Sequence, residues 1–250
     1  MNIPINRKPK IIAIPFAGGN KYSFDKMEKY TLPDFEWITL ELPGRGNRFN
    51  EHLLNNIFEM VDDLYRSIQT YIETEDYVLY GHSMGTLLGY ELVKKLTENS
   101  LKLPTCLFFT GRGAPQFNRF TNKKSVLAQE PFWKEINKMG GMPKDILSQK
   151  DLLDLYYPIL RNDFEAVENY VYTKMKVPFS IPLYIILGDE EIGEEREKTR
   201  MHEMKAWLNE TDSNCSFEIM PGDHFFVLEE AKAIAQKIMN AFKVCSLATV

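Results

Sequence analysis

The chain has 250 residues, 44% of them apolar and 26% charged, a balance that rules out a disordered polymer and fits one α/β domain. Lys plus Arg total 30 against 35 Asp plus Glu, and the net charge of −5 argues against a nucleic-acid binder. The longest apolar runs, such as Ile11–Phe16 and Leu183–Leu187, fall far below the ~20 residues that span a bilayer, so no membrane partner is expected. Nothing at the N-terminus reads as a signal peptide, because Ile11–Ala17 is short, is broken by Pro15 and leads into Gly18-Gly19. Cys106, Cys215 and Cys245 form no C-x-x-C and no metal-ligand pair, which points to reduced thiols and a cytoplasmic protein.

In chain order, short apolar runs alternate with helical patterns. Ile11–Pro15 and Trp37–Leu42 read as strands, followed by Ile57–Ile72, where Met60, Val61, Leu64, Ile68 and Ile72 form one helical stripe. Tyr77–Tyr80 is the next strand, then the helical Gly85–Leu96 and the strand Cys106–Thr110. The last strands are Leu183–Leu187 and Phe217–Met220, each followed by a helical pattern, Glu194–Leu208 and Leu228–Phe242. The strands are continuously apolar rather than alternating, so they should be buried in a mostly parallel sheet covered by helices on both faces. The interval 114–180 breaks this rhythm. It carries helical stretches at Val126–Lys138, Lys144–Tyr156 and Asp163–Val171 and reads as a helical cap inserted into a single domain, 1–250. The tail Val244–Val250 reads as a frayed end.

Gly81-His82-Ser83-Met84-Gly85 follows one of these strands and opens a helix. A G-x-S-x-G in that setting holds a serine on a tight turn with its hydroxyl projecting from the sheet, so Ser83 is the candidate nucleophile. A serine hydroxyl needs a base, and four histidines are available. His82 adjoins the nucleophile and should point elsewhere, His52 precedes it, and His202 lies inside a helical pattern. His224 follows the last strand, at the sheet edge where such folds place their chemistry, and is the candidate base. A carboxylate to hold the imidazole is expected in Gly188-Asp189-Glu190-Glu191, which could equally be a solvated helix start; these residues alone do not select the acid. The backbone N–H groups of Met84 and of Ala17, in the loop after the first strand, are the candidate oxyanion donors.

These residues resemble the type II thioesterases of nonribosomal peptide and polyketide synthesis, members of the α/β-hydrolase superfamily. The likeness includes Pro15-Phe16-Ala17-Gly18-Gly19, Leu42-Pro43-Gly44-Arg45-Gly46 and the nucleophile block. It continues through Met139-Gly140-Gly141-Met142-Pro143, Pro158-Ile159-Leu160-Arg161-Asn162-Asp163-Phe164 and Gly222-Asp223-His224-Phe225-Phe226. The resemblance implies hydrolysis of acyl or aminoacyl thioesters on the phosphopantetheine of carrier-protein domains, freeing stalled or misprimed synthases. It implies no cofactor of the enzyme's own, since the phosphopantetheine belongs to the substrate partner. The family usually carries its aspartate three residues after the strand-ending glycine, where this chain has Glu191; Asp189 is the alternative. Two other readings share the chain: a hydrolase of free acyl-CoA or small esters, and a weakly catalytic protein that docks on a synthase. Arg161 with Asp163 reads as a local ion pair, and Arg112, Arg119, Lys123 and Lys124 as a basic rim for a carrier protein or as ordinary surface charge.

Overall fold

The computed structural model describes residues 8–118, 120, 122–139, 149–195 and 198–247. Its centre is a six-stranded sheet: β1 (Lys10–Ile14), β2 (Glu36–Thr39), β3 (Tyr77–His82), β4 (Cys106–Thr110), β5 (Leu183–Gly188) and β6 (Cys215–Met220). The spatial order is β2-β1-β3-β4-β5-β6 and every neighbouring pair is parallel. Around it lie α1 (Asp25–Thr31), α2 (Ile57–Ile72), α3 (Met84–Glu98), α4 (Gln129–Lys138), α5 (Lys150–Asn169), α6 (Met201–Lys205), α7 (Phe226–Glu229) and α8 (Ala231–Leu247).

Side-chain alternation splits the apolar strands between two cores. Ile12 and Ile14 of β1, with Tyr77 and Leu79 of β3, pack against α2 and α3, while Ile11, Ala13, Val78 and Tyr80 face α1 and α8. The stripe of α2 points wholly into the first core, and the Asn56 side chain caps the helix by accepting from the Phe58 N–H. Register pairs Ile14 with Gly81, His82 with Thr110, Thr110 with Ile186 and Gly188 with Met220, so β1, β3 and β4 end within a residue of one another and β5 and β6 run two residues further at the same edge. The loops after them therefore open onto one edge, which is where ligands meet open α/β sheets.

The structure corrects several expectations. β6 is half-exposed, because it is the sheet's edge and its Glu218 reaches Lys237 on α8 in a surface ion pair. Glu194–Leu208 is not one helix. Backbone bonds run from Thr199 N–H to Glu191 C=O (2.9 Å) and from Gly193 N–H to Thr199 C=O (3.3 Å), and among the described residues of this stretch the helical ones are Met201–Lys205, with a 3₁₀ turn over Ala206–Asn209. The stretches expected at Lys144–Tyr156 and Asp163–Val171 are joined in the single helix α5, which runs from Lys150 through Pro158 to Asn169 and so stops short of Val171; residues 140–148, with the Gly140–Pro143 block, lie outside the described residues. Burial of Ile159 and Leu160 just past the proline, with Leu160 in an apolar cluster with Phe132, Trp133 and Ile136 of α4, offsets the lost hydrogen bond. The C-terminus is helical to Leu247, since Cys245 is buried against the second core; 248–250 lie outside the described residues.

Candidate active site

Ser83 sits between β3 and α3 at φ 56° and ψ −112°, a conformation disfavoured for any residue with a Cβ. Its backbone is held by the Ser83 N–H donating to Thr110 C=O (2.9 Å) and the Thr86 N–H donating to Ser83 C=O (3.1 Å). The turn is possible because helix and sheet touch through backbone. A Cβ on Gly85 would come within 1.9 Å of Ile14 O, and one on Gly81 within 2.5 Å of Gly85 O. That is the physical content of the two glycines in the motif.

His224, on the loop between β6 and α7, turns its ring toward Ser83. With Nδ1–H donating to Glu191 Oε1 at 2.5 Å, Nε2 is the acceptor for the Ser83 hydroxyl at 2.9 Å. Glu191 ends a 3₁₀ turn over Asp189–Glu191 directly after β5, and its other oxygen accepts the Gly188 N–H at 2.8 Å. Its side chain is 9% exposed and the imidazole 17%, so water dilutes their interaction little. The structure thus brings Ser83, His224 and Glu191 together. It does not bring Asp189 to the imidazole: Asp189 is exposed, and its Oδ1 accepts the Gly222 N–H at 2.9 Å, fastening the loop that carries His224.

Met84 is the first residue of α3, where helical N–H groups have no intrahelical acceptor. In the loop after β1, the Gly19 N–H donates to Phe16 C=O (2.9 Å) and the Gly18 N–H to Asp163 Oδ2 (2.7 Å). These bonds commit the two glycine donors, so the Ala17 N–H remains the candidate donor of that turn. Phe16 and Phe225 meet edge to face at 5.1 Å, and Phe225 also flanks the His224 ring.

His82 is fully buried 5.1 Å from the His224 ring, with Nδ1 bonded to Thr110 Oγ1 at 2.9 Å. Burial, and then the neighbouring His224 charge, hold its pKa well below the ordinary histidine value, so it is neutral in the folded protein. The unfolded chain takes up this proton below pH ~6.5 and the folded chain does not, so stability is present above that pH and lost as pH falls. Once the unfolded histidine is protonated, the loss is about 1.4 kcal/mol per pH unit until the folded-state pKa is reached. Thermal melts from pH 7 to 5 are expected to decline less steeply for His82→Gln than for the parent protein.

The structure places Asp163 differently from the sequence expectation. It does not pair with Arg161, whose Nε–H donates to Ser125 C=O at 2.8 Å; residues two apart on a helix do not face each other, a signal the sequence already carried. Asp163 instead forms a buried bidentate pair with Arg45. The basic rim is also revised. Arg112 turns inward to Asn118, burial lowering its pKa to about 10; Lys123 reaches Asn169, Lys124 lies 5.9 Å over the Phe164 ring, and Arg119 is outside the described residues. Among the described residues no helix is long and apolar enough to cross a membrane.

A family model described as the thioesterase domain matches residues 9–242. The chain is 31% identical over 228 residues to the gramicidin S biosynthesis protein GrsT of Aneurinibacillus migulanus, covering 91% of this chain and 86% of that protein. It is 29% identical to the human medium-chain S-acyl fatty acid synthase thioesterase, covering 95% and 89% respectively. The crystal structure of ClbQ from the colibactin nonribosomal peptide/polyketide pathway superposes with a TM-score of 0.89 at 26% identity, covering 97% of this chain and all of that one.

Proposed function

From the chain's membership of the thioesterase-domain family, with its α/β-hydrolase fold, we propose that it is a type II thioesterase that clears carrier proteins of a nonribosomal peptide or polyketide synthase. The observation that carries this reading is the hydrogen-bonded series Ser83–His224–Glu191, at 2.9 and 2.5 Å, within a chain of that family. Ser83 Oγ attacks the thioester carbonyl carbon as His224 Nε2 takes the hydroxyl proton and Glu191 stabilises the imidazolium. The oxyanion is received by the Ala17 and Met84 N–H groups. As the tetrahedral species collapses, the C–S bond breaks and the imidazolium protonates the departing pantetheine sulfur. His224 then takes a proton from water, whose oxygen attacks the acyl-enzyme, and the proton passes to Ser83 Oγ as the carboxylic acid leaves.

This chemistry needs no resident cofactor; the phosphopantetheine arrives with the carrier protein, and the reaction belongs where synthases work, in the cytoplasm. The segment 114–180, with α4 and α5, is the proposed cap over the acyl chain. Relatives named for gramicidin S biosynthesis and for a fatty acid synthase support a carrier-bound substrate. The test is hydrolysis of acetyl-, aminoacyl- and medium-chain acyl-carrier proteins beside the matched acyl-CoAs. Faster release from the carrier is expected. Equal rates on CoA would replace the carrier reading with a general acyl-thioester hydrolase, and carrier binding without turnover would favour a docking protein.

A further inference from the structure

Two sequence blocks that the proposed triad leaves unused, Leu42–Gly46 and Pro158–Phe164, meet at the oxyanion loop. Asp163 of α5 is fully buried, and three donors converge on its carboxylate: Arg45 Nη1 on Oδ2 (2.6 Å), Arg45 Nη2 on Oδ1 (2.8 Å) and the Gly18 N–H on Oδ2 (2.7 Å). One turn earlier on the same helix, Leu160 packs directly on Gly18, where a Cβ would come within 2.9 Å of Leu160 Cγ. Gly18 itself stands at φ +76°, a conformation favouring glycine.

We propose that Asp163 and Arg45 are a positioning pair for the oxyanion loop, through which helix α5 fixes the direction of the Ala17 N–H. The inference rests on the reading of Ser83 as an acyl-transfer nucleophile. The Phe16 C=O and the Ala17 N–H belong to one planar peptide, which the Gly19 N–H holds by its bond to Phe16, and the Gly18 N–H held on Asp163 fixes the next plane, so the Ala17 donor has one direction in which to point. Arg45 has a second task. A lone carboxylate next to a site where negative charge develops would oppose that charge, and in a dry site the opposition is large. The bidentate guanidinium neutralises it while leaving Oδ2 as acceptor for the loop. The pair therefore gives the loop a strong anchor without placing a net negative charge beside the oxyanion. Neither residue touches the reacting atoms.

The experiment compares wild type, Asp163→Asn and the double variant Arg45→Met/Asp163→Leu. The double variant guards against misfolding, since replacing a buried ion pair by apolar side chains of similar size is often neutral or stabilising. Each is assayed for kcat and KM on an acyl-carrier thioester and on a free p-nitrophenyl ester. Affinity is measured for an acyl trifluoromethyl ketone, which adds to Ser83 as a tetrahedral oxyanion, and for a thioether analogue, which does not. In the double variant kcat is expected to fall about 100-fold with KM nearly unchanged, with a parallel loss of ketone affinity and none for the thioether. Asp163→Asn, which keeps an acceptor for Gly18 but loses the charged pair, should lie between. A double variant that melts like wild type and retains wild-type kcat and ketone affinity would overturn the inference, as would equal losses for both analogues. Wild type that cleaves the ester but not the carrier thioester would refute the proposed substrate, and the ester and ketone data would still decide the role of Asp163.

Discussion

Ser83→Ala is expected to lower kcat for thioester hydrolysis by about 10,000-fold or more while leaving the fold intact. Alanine removes the attacking oxygen and nothing else of consequence. The hydroxyl's partner is His224 Nε2, and the backbone bonds to Thr110 and Thr86 do not involve the side chain. Alanine also tolerates the position's φ no worse than serine, since both carry a Cβ, so the melting temperature should stay close to that of wild type. What activity survives comes from binding and from the oxyanion donors, which act on water-mediated attack as well. Single-turnover release of a labelled acyl group from its carrier checks this, and a loss below tenfold would remove Ser83 from the mechanism.

The second large effect separates two neighbouring carboxylates. Glu191→Gln is expected to lower kcat about 1,000- to 10,000-fold, because an amide facing Nδ1 can hold the wrong tautomer and cannot stabilise the imidazolium. Asp189→Asn should cost far less, since an amide oxygen can still accept the Gly222 N–H that fastens the His224 loop. Steady-state kinetics on one acyl-carrier substrate gives the ranking. The reverse order would make Asp189 the acid, and small losses in both would mean that the imidazole needs neither.

How far the molecule was legible in advance depends on the range of the interactions involved. The centre of the sheet could be read because β1, β3, β4 and β5 are almost continuously apolar, and the turn at Ser83 because its two glycines are demanded by backbone contact. Glu194–Leu208 misled because the helical spacing of Met201, Met204, Trp207 and Leu208 does not extend back over Glu194–Arg200, which carries no apolar residue and where Thr199 bonds to residues 191 and 193. β6 alternates Ser216 and Glu218 with Phe217 and Ile219, a pattern of a half-exposed strand that its apolar residues alone do not convey. The choice between Asp189 and Glu191 depends on how a 3₁₀ turn of three residues points two side chains, which is settled by the loop opposite and not by local sequence. The link from Asp163 to Arg45 spans 118 positions, and no local pattern announces a partner that far away.

The backbone at Ser83 also bears on how such a protein drifts. Residues held in sparsely populated conformations carry a strain of about 1–3 kcal/mol, and a glycine at φ 56° and ψ −112° would carry much less of it. A library screened only for survival on heating would thus reward the loss of the proposed nucleophile's side chain. Selection for turnover would oppose that reward.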